Sequence, residues 1–266
     1  MGHVFSVELP FGFEPSSFDV FDVEPDLDGI DWVEEDPTLP DGSANLYVHR
    51  KSTVGVELHL DNEFEVWLPS LASAADWQLV FGVLGRSAEL FDTVFVTWND
   101  GDVWELAELI DHCDDAWQLE QQKADNQTAM SRVATEGMVV VKGPIRSAHI
   151  GSWVLQQVAE GVVTLEEVLL RTNYVDAPHL VAEAAVDAGQ LVTVLGPGLR
   201  TLLPHSDAVL LDTIDTAHTP VLVSPTALDD IAGLDVTRLD ECHRLVQAVA
   251  ESSWSAILTA ALPHAL

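Results

Sequence analysis

The chain has 266 residues, of which 44 are Asp or Glu and 11 are Lys or Arg, leaving a formal charge of −33 and a pI near 4.2. Such a field repels nucleic acid and anionic lipid, which excludes a generic nucleic-acid or membrane-surface binder. An apolar share of 47% and a mean hydropathy of +0.17 exclude a disordered polyelectrolyte and supply enough residues for a sizeable core. No apolar run reaches the length of a membrane span, and Met1 opens onto Gly-His-Val-Phe-Ser with neither a basic nor an apolar leader. Two cysteines, Cys113 and Cys242, give no disulfide framework. A soluble cytoplasmic protein with no cofactor is expected. Bases are as scarce as acids are plentiful, a balance that fits either a saline (halophilic) cytoplasm or a surface shaped for a basic partner.

Val4 to Leu9 reads as a short strand. Glu14 to Asp41 then holds eleven acids and no base. Phe18, Phe21 and Trp32 are threaded among Asp22, Asp26 and Asp28, and Pro15, Pro25, Pro37 and Pro40 break any long helix. The pattern fits a segment that orders on a basic, grooved partner, or an arm that packs its aromatics on its own domain and turns its acids to water. Glu24 to Glu35 approaches a calcium loop. Glu in place of the first Asp, Asp31 at the apolar anchor position and the lack of flanking helices favour a solvated acidic loop instead, and no metal site is assigned.

Val54 to Leu60 and Phe64 to Leu68 alternate about Asp61-Asn62-Glu63, predicting a hairpin with an aliphatic core face and Glu57, His59, Glu65 and Trp67 on the other face. A helix follows from Ala74 to Leu90, with Ser73 as N-cap and Asp76 in the reciprocal position. Thr93 to Trp98 reads as a strand stopped by Asn99-Asp100-Gly101. Asp102 and Glu105 then look like a second capping box, opening a helix with Val103, Leu106, Ile110, Cys113 and Trp117 on one stripe.

Gly137 to Lys142 and Gln190 to Leu195 read as buried strands, each followed by a Gly-Pro turn and an arginine, Arg146 and Arg200. Such turns can bring backbone amides and a guanidinium to an anion, although Gly-Pro after a strand also simply ends it. Residues 126–206 hold seven acids and five bases, so this near-neutral stretch is where a small anion would bind. Helices are expected over Ile150 to Val163, over Leu165 to Leu170 with Thr164 as cap, and over Asp240 to Leu262, with short strands at Ala208 to Leu211 and Val221 to Val223. His112-Cys113 and Cys242-His243 offer zinc-type ligands, but neighbours on a helix point about 100° apart, and both cysteines read as small buried hydrophobes. No phosphate loop, nucleophile elbow or H-E-x-x-H occurs.

These elements predict an α+β fold, an antiparallel hairpin and sheet with packed amphipathic helices and mixed strands in the C-terminal half. The expected division is an acidic N-terminal strand and arm over 1–44 and a single domain over 45–266, weakly subdivided near 126–136. The expected function is that of a non-enzymatic inhibitor, immunity-type protein or assembly factor, meeting a basic protein partner through Phe18, Phe21, Asp22, Asp26, Asp28 and Trp32. The alternative is an enzyme or small-anion-binding protein using residues 126–206, anchored by Arg146 and Arg200.

Overall fold

Alternation in the first part of the chain builds a seven-stranded sheet in which every neighbouring pair is antiparallel. The computed structural model describes residues 2–14, 18, 20–32, 43–99, 101–177, 191–204, 206–212 and 219–266, the side chains of Val20 and Phe21 falling outside it. The chain divides into two units, Met1–Tyr174 and Val175–Leu266. Helices and largely antiparallel sheets make it an α+β protein, as its residue patterns predict.

In the first unit the strands are β1 (His3–Glu8), β2 (Ile30–Trp32), β3 (Ser43–Val48), β4 (Val56–Leu60), β5 (Glu63–Leu68), β6 (Phe95–Trp98) and β7 (Asp102–Glu105), in the order β2-β3-β4-β5-β1-β6-β7. The β4–β5 hairpin stands where alternation places it. Phe5, Val7, Leu46, Val56, Leu58, Phe64 and Val66, from β1, β3, β4 and β5, fill the inner face of the sheet with no exposure. Helix α1 (Ala74–Leu90) covers that face through Trp77, Val80, Val83 and Leu84, and its Ser73–Asp76 capping box forms as predicted.

The acidic arm packs on its own unit. Val23 and Pro25 are buried, Phe18 meets Phe13, Phe64 and Phe91 with ring centroids 5.6–6.1 Å apart, and Trp32 joins the sheet opposite Leu46. Gly82 on α1 makes room for Pro25, since a Cβ there would stand 2.6 Å from the proline ring. Asp22, Asp26 and Asp28 are exposed, and Glu35 with the rest of 33–42 lies outside the described residues.

Asp102 does not cap a helix. Residues Asp102–Glu105 form β7, folded back on β6 by a turn in which Asn99 takes a left-handed φ of 47°. Asn-x-Gly turn chemistry and the strand partners outcompete the capping-box pattern. Helix α2 (Leu106–His112) starts only after it, and the predicted stripe breaks at Cys113, where Asp114 caps a separate 22-residue helix, α3 (Asp115–Glu136). Periodicity misses most of α3 because only Ala129 and Val133 are buried along it. The aromatics of this corner, His3, Trp77, Trp98, Trp104, His112 and Trp117, still pack as one cluster with centroids 5.0–6.2 Å apart.

Strands β8 (Met138–Val141) and β9 (Ala148–Gly151) form a separate hairpin, and α4 (Ser152–Ala159) and α5 (Leu165–Asn173) follow, the latter capped by Thr164 with Glu167. β8 is not a buried strand: Met138 and Val140 are exposed in alternation with buried Val139 and Val141.

In the second unit β10 (Val192–Leu195) pairs in parallel with β12 (Ala208–Leu211), which pairs antiparallel with β13 (Val221–Val223). A second sheet joins β11 (Thr201–Leu203), β15 (Arg244–Val246) and β14 (Val236–Arg238) in the order β11-β15-β14. The predicted closing helix is therefore shorter: 244–246 is strand, and helix α6 (Glu251–Ala261) begins only afterwards. Asp240 holds a turn instead, its carboxylate accepting from the amides of Cys242 and His243 at 2.8 and 2.7 Å. Trp254, Ile257 and Leu258 of α6 pack on Leu195, Val209 and Val223.

Candidate functional site

The face of the seven-stranded sheet opposite α1 is set by the same alternation that buries the inner one. Registers Ser6↔Thr97, Ser6↔Glu65 and His59↔Glu65 line up Thr97, Ser6, Glu65 and His59 across four strands. Glu8, Asp31, Glu57, Glu63 and Glu105 point to the same side, as does Trp67 beside Glu57. The seven strands contain seven acids and no Lys or Arg, and only Asp102 of the seven acids faces the other way.

A groove of about 510 Å³ runs over this face, lined by Ser6, His59, Asp61, Asn62, Glu63, Glu65 and Thr97. Its side chains brace one another. The Trp67 indole donates to Glu65 Oε2 at 2.7 Å, the His59 and Trp67 rings lie 4.8 Å apart, and His59 Nε2 stands 3.8 Å from Glu57 Oε2. The neighbouring His59 ring, with Lys142 Nζ at 3.4 Å adding to it, holds the Glu57 carboxyl below its ordinary range against the opposing effect of burial. At the far end Tyr47 donates to Asp31 Oδ2 at 3.1 Å, and burial with this carboxylate pushes its phenol up to about 12. The result is a groove walled by Asp61, Glu63 and Glu65, with further carboxylates and the part-exposed Trp67 indole on the same sheet face, suited to receive cationic groups.

The site residues expected from the sequence lie elsewhere. Phe18 and Trp32 are packed into the first unit, the Trp32 indole donating to Glu24 Oε2 at 2.8 Å, while Asp22, Asp26 and Asp28 face solvent and the Phe21 side chain is outside the described residues. Arg146 and Arg200 belong to different units. Arg146 donates to the Asn173 carbonyl at 2.8 Å, and burial lowers its guanidinium pKa. The Ile145 and Arg146 amides donate to Asn173 Oδ1 at 3.3 and 3.1 Å, so a carboxamide oxygen occupies the position an anion would take. Gly143 permits this, since a Cβ there would collide with the Asn173 side chain. Arg200 donates to the Asp176 carbonyl at 3.0 Å.

A second cavity, of about 390 Å³, lies between β8 and α3, with Val54, Leu71, Ala129, Val139 and Val141 among its apolar walls. Its two cations are engaged by acids, Arg132 by Glu136 at 2.9 and 3.0 Å and Lys142 by Glu57. Cys113 is buried in the core, and burial, then Asp114, pushes its thiol up to about 12, as expected of a packing residue rather than a metal thiolate.

Local patterning identifies Glu57, His59, Glu65 and Trp67 as one face. Ser6, Glu8 and Thr97 escape it because the β1–β5 and β1–β6 pairings span dozens of residues, and Glu105 because its strand carries a capping-box pattern. Comparison with protein families, with curated proteins and with solved structures returns no match.

Proposed function

We propose that this chain is a non-enzymatic interaction protein whose outer sheet face binds a basic protein partner. One observation carries the reading: seven strands without a single Lys or Arg turn six carboxylates to one face, which holds a groove lined by Asp61, Glu63 and Glu65. A strand framework fixes these carboxylates in place, which lowers the entropy lost when a partner's guanidinium or ammonium groups pair with them. The field they share steers a basic partner toward the groove and repels other acidic proteins.

The test is calorimetric titration with an arginine-rich peptide at about 50 mM and about 500 mM salt. Glu63→Lys with Glu65→Lys should weaken binding about tenfold at low salt. Asp115→Lys with Glu120→Lys, an equal charge change on α3, should have a much smaller effect. Equal losses from both pairs would mean that net charge alone attracts the peptide, and the assigned face would fall.

A further inference from the structure

We infer, resting on the basic-partner reading above, that the edge strand β7 pairs with an added strand of the partner whose side chains run basic, apolar, apolar, basic. β7 closes one end of the seven-stranded sheet. Hydrogen bonds fix which of its backbone groups are used. Leu106 N donates to Val94 O at 2.9 Å, so residue pairs 94/106, 96/104 and 98/102 are the bonded ones between β6 and β7. Asn99 N donating to Val4 O at 2.9 Å gives the complementary result, turning residues 97 and 99 toward β1. The N–H and C=O of Val103 and the N–H of Glu105 therefore point away from β6, at the open edge.

The side chains on that edge are unusual for one left in water. Val103 is 65% exposed, and Phe95, on the same face one strand inward, is 53% exposed. Edges are kept free by shortness, by charged side chains, lysine above all, by proline or by a bulge. β7 is four residues long without lysine, proline or bulge, and its two acids in Asp102-Val103-Trp104-Glu105 repel an acidic strand and admit a basic one: acid, apolar, apolar, acid.

Directly opposed side chains govern strand pairing, opposite charges favouring it and like charges opposing it. The complement of β7 is thus a strand with bases opposite Asp102 and Glu105 and apolar side chains opposite Val103 and Trp104. Because the pattern is palindromic, it fits in either direction. A second copy of this chain offers no base to either acid: the antiparallel registers open to the outward groups of residues 103 and 105 set Val103 against Glu105 or Asp102 against Trp104. The occupant is a basic strand from another protein, bound by main-chain pairing that the groove's carboxylates extend.

A labelled peptide with the core Lys-Val-Val-Lys, its backbone N-methylated counterpart and a Glu-Val-Val-Glu peptide test this by fluorescence anisotropy. The first should bind, N-methylation should weaken it about tenfold by removing strand pairing, and the acidic peptide should not bind. Val103→Pro should weaken binding about as much, since it removes an outward N–H and leaves the β6 ladder intact; circular dichroism checks that the variant folds. If the N-methylated and parent peptides bind equally, edge pairing is overturned while the acidic face stands. If the parent peptide fails to bind but the arginine-rich peptide binds and responds to Glu63→Lys with Glu65→Lys, the edge inference alone falls. If neither binds, both fall.

Discussion

Asp76 is fully buried, yet five donors converge on its carboxylate, the amides of Thr53, Val54, Gly55 and Ser73 and the Ser73 hydroxyl, at 2.8–3.4 Å, while the Thr53 hydroxyl donates to the Leu71 carbonyl at 2.7 Å. A charge taken out of water is tolerable where its lone pairs are met this fully. Sequence pattern identifies only the Ser73 half of this arrangement, because a capping box is local whereas the 53–55 loop arrives from more than twenty residues away. Asp76→Asn turns an amino group toward some of these donors, and urea unfolding should show a loss of about 3 kcal/mol or more. A loss below about 1 kcal/mol would mean that the loop rearranges around the amide.

At the scale of elements, what was legible and what was not divides by where the decisive contact lies. The β4–β5 hairpin, α1 and α5 carry their signals within a few residues, as alternation about a turn or as a reciprocal cap, and they form as predicted. β7 and the strand at 244–246 carry helix-like patterns overruled by partners distant in sequence, β6 across a turn and β11 from some forty residues earlier. The arm over 18–32 shows the same dependence, since the surface that receives its aromatics and Pro25 comes from α1 and the sheet. Two glycines of α1 separate this docking from helix propensity. Gly85→Ala has open space and should stabilise by up to about 1 kcal/mol. Gly82→Ala gains the same propensity but drives Pro25 away, and should destabilise by about 1–3 kcal/mol in thermal or urea unfolding. Similar outcomes for both would show that the arm contributes nothing to stability.

Over the whole molecule, 33 excess negative charges repel one another in the folded state more than in an expanded chain. The repulsion is unevenly shared: the first unit has 32 acids and eight bases, the second twelve and three. Added KCl screens such repulsion over distances that shrink to about 3 Å at 1 M. Melting temperature should therefore rise steeply over the first few hundred millimolar and then flatten, while binding of basic peptides weakens over the same range. A melting temperature that does not change with KCl would mean that the ion pairs of the few bases already balance the local fields.

The aromatic corner where β1, β6 and β7 meet α1, α2 and α3 has a practical consequence. Trp77, Trp98, Trp104 and Trp117 are half of the eight tryptophans, and Trp254 is the one that belongs to the second unit. Seven of the eight indoles belong to the first unit, so intrinsic emission of the whole chain reports mainly on that unit. Emission from a variant retaining Trp254 alone would follow the second unit as a separate optical channel.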